Sequence, residues 1–504
     1  MENKFKKRFF QNASIAFILQ IVNLFTTFVV RTIFVKQLGN EYLSLNGLLV
    51  NVVSLLSFAE LGIGNAIIFS LYEPVATHNN EKINSLMQIF KKAYRWIRIA
   101  IIVLGLLITP FINSLVNGVS VSEDFKLLFW LFIANTYVSY FYAYKKSLLI
   151  ADQKNYIVAL IQQIILIVQS ICQCLIIIVL KNYLLYLIFQ IVGTMLINIV
   201  TSVYVDKHYE YLKNDSFELS KHEVKSIFDN IKNIFCYKVG AVILNSTDNI
   251  LISSLIATKL VGLYSNYSMI INALNSVLMQ VCNSISATIG NYNVVNSDEE
   301  NEGTFRTLFF VSFWVFGICT ICLIELLNPF IHIWLGDKYL LDFSTVVIIS
   351  LVFYVTGINQ IPSQYRTSFG IFKQAKLVPI IAAIINIILS IVLGKLVGLN
   401  GIFLATIFAK VLTFNIVDPY LIYKNGFHNN CIKFMFVKLQ CFTVLVVAFL
   451  GIHFINNFII VNGFIGFMCK AIATFLLTNL LFTVLLLRHC EFKKILKGLN
   501  HGKA

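Results

Sequence analysis

Charged residues are scarce in this sequence. Asp, Glu, Lys and Arg make up 12% of its 504 residues, whereas an ordinary soluble domain carries about 25%. Together with 58% apolar residues and a mean hydropathy of +0.80, this scarcity excludes a water-soluble globule. Apolar stretches of about 18 residues or more, each long enough to cross a hydrocarbon layer of about 30 Å as a helix, recur along the whole chain. We therefore expect an all-α integral membrane protein.

Motifs of nucleotide-dependent and zinc-dependent enzymes are also lacking. No GxxxxGK[ST] phosphate loop occurs, Gly62 and Gly64 do not complete a GxGxxG pattern, and the eight histidines form no HExxH spacing. The ten cysteines are scattered, mostly within apolar segments, without His or acidic partners nearby, so we expect them to pack in the core rather than bind metal. The sequence thus indicates no catalytic and no metal-binding residues.

The apolar runs, read against turn and charge signals, predict about fourteen transmembrane helices. They are placed at residues 12–36, 42–72, 94–117, 124–150, 155–180, 182–205, 231–257, 260–289, 305–333, 342–371, 375–396, 399–423, 433–456 and 462–487. The first is too long for the apolar core of a cleaved signal peptide, so we expect it to be retained.

Basic residues account for the net charge of +15, and their positions are more informative than their number. Most of the 39 Lys and Arg residues fall in alternate loops, among them those around Arg366 and Lys438. Since basic residues accumulate on the cytoplasmic side, this pattern predicts that both termini are cytoplasmic, and it needs no nucleic-acid partner. The loop SDEENEGTFR, residues 297–306, is acidic although it is predicted to be cytoplasmic.

Two internal matches predict a duplicated chain. Residues 39–53 resemble residues 257–271, at an offset of 218, and residues 146–168 resemble residues 366–388, at an offset of 220. Six predicted spans separate equivalent points, so the halves share one orientation, as in parallel repeats that frame a substrate path. The expected domains are an N-lobe (1–205), a cytoplasmic linker (206–230), a C-lobe (231–424) and a final part with two extra spans and a tail (425–504).

Polar residues within predicted spans are the candidate functional residues, because a charge near the bilayer centre costs roughly 2.5–3.5 kcal/mol unless it meets a cavity or a partner. Helical spacing places most of them on common faces of spans 1, 7 and 12, whereas Glu60 lies deep in span 2. The candidate substrate-binding residues are Arg31, Lys238, Lys410, Asn23 and Asn245, and the candidate coupling or cavity carboxylates are Asp248 and Glu60.

Each charged candidate also has a purely structural interpretation. Lys410 would instead form an interhelical ion pair with Asp418 or Glu325, and Asp248 and Lys238 would form a structural pair. The structural alternative for two further residues is that Arg31 snorkels to the interface and that Glu60 fixes helix packing near Gly62 and Gly64.

Three segments carry a family resemblance: FAELGIGNAIIFSLYEP (58–74), STDNILISSLIATKLVGLYSNY (246–267) and NPFIHIWLGDKYLL (328–341). They resemble the oligosaccharide flippases of bacterial polysaccharide synthesis, within the superfamily that includes multidrug/toxin extruders and lipid II flippases. The resemblance implies two pseudo-symmetric six-helix lobes around a cationic cavity, with two further C-terminal helices.

The resemblance also implies a function. By alternating access, such a protein turns an undecaprenyl-diphosphate-linked repeat unit to the outer face of the bacterial cytoplasmic membrane, for capsule or another surface polysaccharide. The expected partners are the lipid-linked oligosaccharide, membrane lipids, and a polysaccharide polymerase and glycosyltransferases. No cofactor is expected, and coupling to a Na⁺ or H⁺ gradient is one option.

Two other classes of function stay open at this point. A cation-coupled multidrug extruder would bind cationic amphiphiles through acidic and aromatic residues, yet basic groups outnumber acidic ones among the buried charges. A membrane enzyme such as a polysaccharide polymerase would typically carry a large extracytoplasmic loop, whereas the predicted outer loops are only a few residues long. The sequence therefore favours a transporter over an enzyme.

Overall fold

A computed structural model describes residues 2–56, 60, 63–213, 239–244, 246–458, 463–487 and 489–494. Within these ranges it describes all side chains except those of residues 2–17, 63, 65–66, 213, 284–288, 290–295 and 372–373. This part of the chain is almost entirely helical and contains no strand. The chain is thus an all-α integral membrane protein.

The helices of the first half run up to His208, and helix follows again at residues 239–244 and 246–255. They are α1 (Glu2–Leu56), α2 (Ile63–Ala76), α3 (Asn80–Ile108), α4 (Ile112–Leu115), α5 (Phe125–Ser139), α6 (Ala143–Ala151), α7 (Asn155–Leu180) and α8 (Tyr183–His208).

The helices of the second half begin at Thr258. They are α9 (Thr258–Val295), α10 (Asp298–Leu335), α11 (Phe343–Gly357), α12 (Gln360–Ser368), α13 (Phe372–Ala375), α14 (Val378–Val397), α15 (Leu399–Leu412), α16 (Phe414–Asn425), α17 (Ile432–Asn456) and α18 (Gly463–Leu486).

Ten helical segments of the described chain are long and apolar enough to cross a membrane, and two shorter apolar helices accompany them. Several predicted spans are broken rather than straight. The fourth consists of α5 and α6, the tenth of α11 and α12, and the twelfth of α15 and α16. Gly39, where φ is +82°, is a non-helical residue that divides α1 into two helices, and this break separates the first predicted span from the start of the second. Glycine adopts this backbone conformation without the steric cost of a Cβ.

Equivalent helices of the two halves begin at a nearly constant offset. Helices α3 and α10 begin at Asn80 and Asp298, and α5 and α11 begin at Phe125 and Phe343, 218 residues apart in both cases. The short helices α6 and α12 begin 217 residues apart. These spacings agree with the offsets of the sequence matches and indicate that the two halves repeat one order of helices, although the sixth predicted span is the unbroken helix α8 and the twelfth is divided into α15 and α16.

The acidic residues of the segment 297–306 lie at the N-terminus of α10. Ser297 caps the first turn of α10, its side chain accepting from the backbone N–H of Glu300 while the Glu300 side chain accepts from the N–H of Ser297. Acidic residues stabilise a helix N-terminus because they complement its partial positive charge. Asn79, 218 residues earlier, caps α3 in the same place by accepting from the N–H of Lys82.

Two compact units make up the chain, Met1–Gly262 and Leu263–Ala504. The predicted linker at 206–230 begins as the end of α8, continues as a 3₁₀ turn to Lys213, and from 214 onward lies outside the described residues. In the second unit, the two C-terminal helices pack on α10 through an aromatic core in which Phe313 and Phe482 stack at 5.3 Å.

Candidate functional site

A polar cavity lies inside the first unit, around Arg31. Its volume is about 250 Å³, and helices α1, α7 and α8 line it. The lining residues are Thr27, Val30, Arg31, Phe34, Leu43, Asn46, Val50, Gln169, Ser170, Gln173, Tyr186 and Gln190. Among these described lining residues none is acidic, so the cavity combines one cationic group with amide, hydroxyl and aromatic groups.

The pattern of α7 explains why amide groups face inward. Exposed apolar side chains recur at steps of four and three along one face of α7, as expected of a lipid-facing stripe; they are Ile164, Val168, Ile171 and Leu175. Gln169 and Gln173 lie off this stripe. The Gln169 amide donates to the Gln173 side-chain oxygen at 3.2 Å, and the Gln173 amide donates to the Tyr186 carbonyl at 3.0 Å. The amides thereby link α7 to α8 beside the cavity.

A close helix approach holds Gln169 in place. The Gln169 side chain packs over Gly193 of α8, where an added Cβ would lie 1.9 Å from its Oε1 atom. The glycine therefore leaves the space that the amide occupies.

Aromatic rings form another part of the wall. Phe34 meets Tyr183 and Tyr186 edge to face, with ring centroids 5.8 and 5.3 Å apart. Tyr183 is fully buried and donates to the Asn46 side-chain oxygen at 3.1 Å. This packing fixes α1 before and after Gly39 against the start of α8.

A second polar site lies in the second unit, at the breaks between α11 and α12 and between α15 and α16. Proline has no backbone N–H, so Pro362 leaves the carbonyl of Ile358 without its helical donor, and Pro419 does the same to Asn415. Freed carbonyls in a membrane need new donors. Lys438 of α17 donates to the Asn415 carbonyl at 2.7 Å and also to the Asn415 side-chain oxygen at 2.7 Å.

Side chains of the second site tie these breaks together. The Asn415 amide donates to the carbonyl of Val355 at 3.0 Å, at the end of α11. Lys410, in the last turn of α15, donates to Thr356 Oγ1 at 2.8 Å. We call the residues around the two breaks, Thr356, Asn359, Arg366, Lys410, Asn415, Asp418 and Lys438, the helix-break junction.

A buried ion pair completes the helix-break junction. The Arg366 guanidinium lies 3.1 Å from Asp418 Oδ1, and the two side chains are 4% and 0% exposed. Asn359 donates to the other carboxylate oxygen at 2.9 Å. The sequence prediction counted Arg366 and Lys438 among the basic residues of the cytoplasmic side, near the ends of the predicted spans 342–371 and 433–456. The structure buries Arg366 within α12 and directs the half-buried Lys438 of α17 to Asn415.

The first unit carries a similar pair on the equivalent helices α6 and α8. Lys145 donates to both carboxylate oxygens of Asp206 at 2.6 Å and to Ser202 at 2.7 Å. Asp206 is 46% exposed, in contrast to Asp418. In each half, therefore, an ion pair holds the short helix that follows a break to the last span of that half. These helices are α6 and α8 in the first half, and α12 and α16 in the second.

The candidate residues do not all come together. Arg31 lies in the cavity of the first unit with Thr27, whereas the half-buried Asn23 lies two turns earlier on α1, outside the described lining. Lys410 lies in the helix-break junction. Asp248 is half-buried. Lys238 and Asn245 lie outside the described residues.

Glu60 forms a contact within the first unit. It lies in a helical turn between α1 and α2, where Tyr94 donates to its carboxylate at 3.4 Å. The carboxylate also interacts electrostatically with Lys146 of α6. From the turn between α1 and α2, Glu60 thus interacts with α3 and α6.

The proposed ion-pair partners of Lys410 have other partners. Asp418 pairs with Arg366, as described above. Glu325 accepts from the Asn456 amide at 3.1 Å, lies 2.8 Å from the His453 ring nitrogen and lies 3.6 Å from Lys470.

Sequence reasoning missed the glutamine residues around Arg31. Gln169, Gln173 and Gln190 stand in apolar spans and were visible as polar exceptions, but they carry no charge. In the described residues, no group of three or more His, Cys, Asp or Glu is placed to hold a metal ion.

Comparisons with known proteins give the family and the fold. The polysaccharide biosynthesis protein family matches residues 9–286. No curated protein matches the chain. The structure is similar to that of the lipid II flippase MurJ in an inward closed conformation, with a TM-score of 0.66 and 16% identity over 95% of this chain and 99% of that one.

Two multidrug transporters share the fold as well. One is a MATE family transporter of the MOP superfamily, inward-facing, with a TM-score of 0.60 and 13% identity over 80% of this chain and 93% of that one. The other is the Vibrio cholerae MATE transporter VcmN, with a TM-score of 0.57 and 13% identity over 84% and 98% of the two chains. At these identities the similarity shows the fold alone.

Proposed function

We propose that this chain, which belongs to the polysaccharide biosynthesis protein family, is a flippase for a lipid-linked oligosaccharide. The proposed substrate is an undecaprenyl-diphosphate-linked repeat unit, moved by alternating access across the bacterial cytoplasmic membrane for surface polysaccharide synthesis. The family match and a fold similar to that of a lipid II flippase support this proposal.

The observation that carries it is the presence of cationic side chains inside apolar helices of both units. Arg31 faces a polar cavity in the first unit, and Lys410 lies at the helix-break junction of the second. A diphosphate that leaves water needs compensating positive charge, and guanidinium and ammonium groups supply it. The lipid chain stays in the bilayer throughout, and no covalent bond is made or broken.

Energy coupling and partners form part of the same proposal. Asp248 and Glu60 are the carboxylates proposed to couple transport to a Na⁺ or H⁺ gradient or to hold the cationic groups in place. A polymerase and glycosyltransferases are the proposed functional partners, and both termini are proposed to be cytoplasmic.

A cation-coupled multidrug extruder is the second candidate, because MATE transporters share the fold. A site for cationic drugs needs carboxylates, and the cavity around Arg31 has none among its described lining residues. Efflux of a cationic dye from vesicles would favour this candidate.

The test is export of the polysaccharide in cells whose only copy of the protein carries a substitution. We expect Arg31→Ala and Lys410→Ala to lower surface polysaccharide and to accumulate the lipid-linked repeat unit on the cytoplasmic leaflet. Lys395→Ala, at an exposed position in the last turn of α14, is the matched control and should export normally.

The protein level in the membrane must be equal in all variants. Normal export by both Arg31→Ala and Lys410→Ala would contradict the proposal. Glycan elongation by the purified protein would instead show that it is an enzyme.

A further inference from the structure

The cavity around Arg31 combines the groups that bind a phosphorylated sugar. We infer that it takes the sugar phosphate end of the lipid-linked glycan, with Arg31 on the phosphate and the glutamine side chains on the hydroxyl groups of the first sugar. This inference rests on the proposed function and assigns one part of the substrate to one cavity.

The amide groups match sugar hydroxyls. A hydroxyl both donates and accepts hydrogen bonds, and a glutamine side chain offers two N–H donors and an oxygen with two lone pairs. The bonds from Gln169 to Gln173 and from Gln173 to the Tyr186 carbonyl use one N–H donor of each amide. Gln190 lines the same cavity from α8. Three amides on two adjacent helices thus present several donors and acceptors to one small volume.

The aromatic and cationic groups complete the match. Phe34 and Tyr186 give an apolar wall against which the C–H groups of a pyranose ring can pack. The planar guanidinium of Arg31 binds a phosphate through two parallel hydrogen bonds. Because the described lining contains no carboxylate, an anion meets attraction there without a repelling charge.

The size of the cavity limits what enters. A volume of about 250 Å³ far exceeds what a single water molecule needs. One sugar ring with its phosphate is of this size, whereas an oligosaccharide is much larger. The remaining sugars and the lipid chain must therefore lie outside this cavity.

The experiment measures binding of soluble probes to the purified full-length protein in lipid nanodiscs by saturation-transfer difference NMR. The probes are N-acetylglucosamine 1-phosphate, N-acetylglucosamine, glucuronate and inorganic phosphate. We expect the sugar phosphate to bind more tightly than each of the other three probes. N-acetylglucosamine lacks an anionic group for Arg31, inorganic phosphate lacks hydroxyl groups on a sugar ring for the amides, and glucuronate brings only the single negative charge of a carboxylate.

Substitutions identify the site. Arg31→Gln should weaken binding of the sugar phosphate about tenfold or more, and Gln190→Leu roughly fivefold. Gly193→Ala should weaken it as well, because the new Cβ displaces Gln169. Gln162→Leu, on α7 but outside the cavity lining, is the matched control and should bind like the wild type.

Several results would overturn the inference. They are the absence of binding by the wild type, equal affinity for inorganic phosphate and the sugar phosphate, tighter binding of glucuronate, and unchanged affinity in Arg31→Gln. If Arg31→Gln does not fold, as judged by size-exclusion chromatography, unchanged affinity in both Gln190→Leu and Gly193→Ala is decisive in its place.

A flipping assay in proteoliposomes separates this inference from the proposed function. Wild-type protein that flips the lipid-linked glycan but gives no saturation transfer to the sugar phosphate refutes the cavity assignment alone. Protein that flips no lipid-linked glycan refutes the proposed function, and the NMR titration still decides whether the Arg31 cavity binds a sugar phosphate.

Discussion

The ion pair between Arg366 and Asp418 should make an unusually large contribution to the stability of the second unit. Asp418→Asn keeps the size of the side chain and its contact with Asn359 but leaves the buried guanidinium without its counter-charge. Breaking a buried pair from one side costs about 3–5 kcal/mol, because an uncompensated charge remains in the interior. Asp206→Asn is the matched comparison and should cost less, since water reaches its 46% exposed carboxylate and screens the charge of the pair.

The measurement is the free energy of unfolding in mixed detergent and SDS micelles, followed by circular dichroism. The double variant Arg366→Gln with Asp418→Asn removes both charges, so it should be roughly 2 kcal/mol more stable than the sum of the two single effects predicts. If Asp418→Asn costs no more than Asp206→Asn, or if the two single effects simply add, the pair does not stabilise the unit in the way argued here.

Three further predictions concern packing, topology and the freed carbonyl. Gly262→Ala should destabilise the protein by about 1–3 kcal/mol, because its Cβ would lie 2.2 Å from the Ser44 Oγ atom. The control Gly303→Ala has open space at the Cβ and should be neutral or stabilising by up to about 1 kcal/mol. Similar unfolding midpoints for the two variants would contradict this. A variant that keeps only Cys490 should react with a membrane-impermeant maleimide in inverted vesicles but not in intact cells, and the reverse would place the C-terminus outside. Lys438→Met should cost about 1–3 kcal/mol in thermal unfolding but less in a Pro419→Ala background, where the restored N–H can bond to the carbonyl; equal costs would refute that account.

The sequence predicted the fold class because apolar length is a strong signal in lipid. It also predicted the duplication, which the offset of 218 between equivalent helix starts supports. It did not predict the helix breaks. Pro362 and Pro419 were visible signals for two of them, but the break before α6 has no proline. There Tyr142 adopts a left-handed conformation, with φ at +58°, which nothing in the local sequence requires.

The candidate site could be predicted only in part. Arg31 and Lys410 stood out because charge within an apolar run is rare. Arg366 and Lys438 were counted among the basic residues of the cytoplasmic side because each lies near the end of a predicted span, where basic residues usually face water. Their burial depends on partners from other helices, Asp418 and the freed Asn415 carbonyl, which no local pattern connects to them.

The lysine from α17 has a consequence for how the protein can be shortened. Helix α17 follows the twelve predicted spans of the two repeated halves. Its Lys438 ammonium group nevertheless donates to a backbone oxygen of α16, the last helix of the second half. A chain cut after Asn425 would leave that oxygen facing hydrocarbon, a cost of several kcal/mol. Helix α17 is therefore an integral portion of the second unit, and its removal would leave a backbone oxygen elsewhere in that unit without its donor.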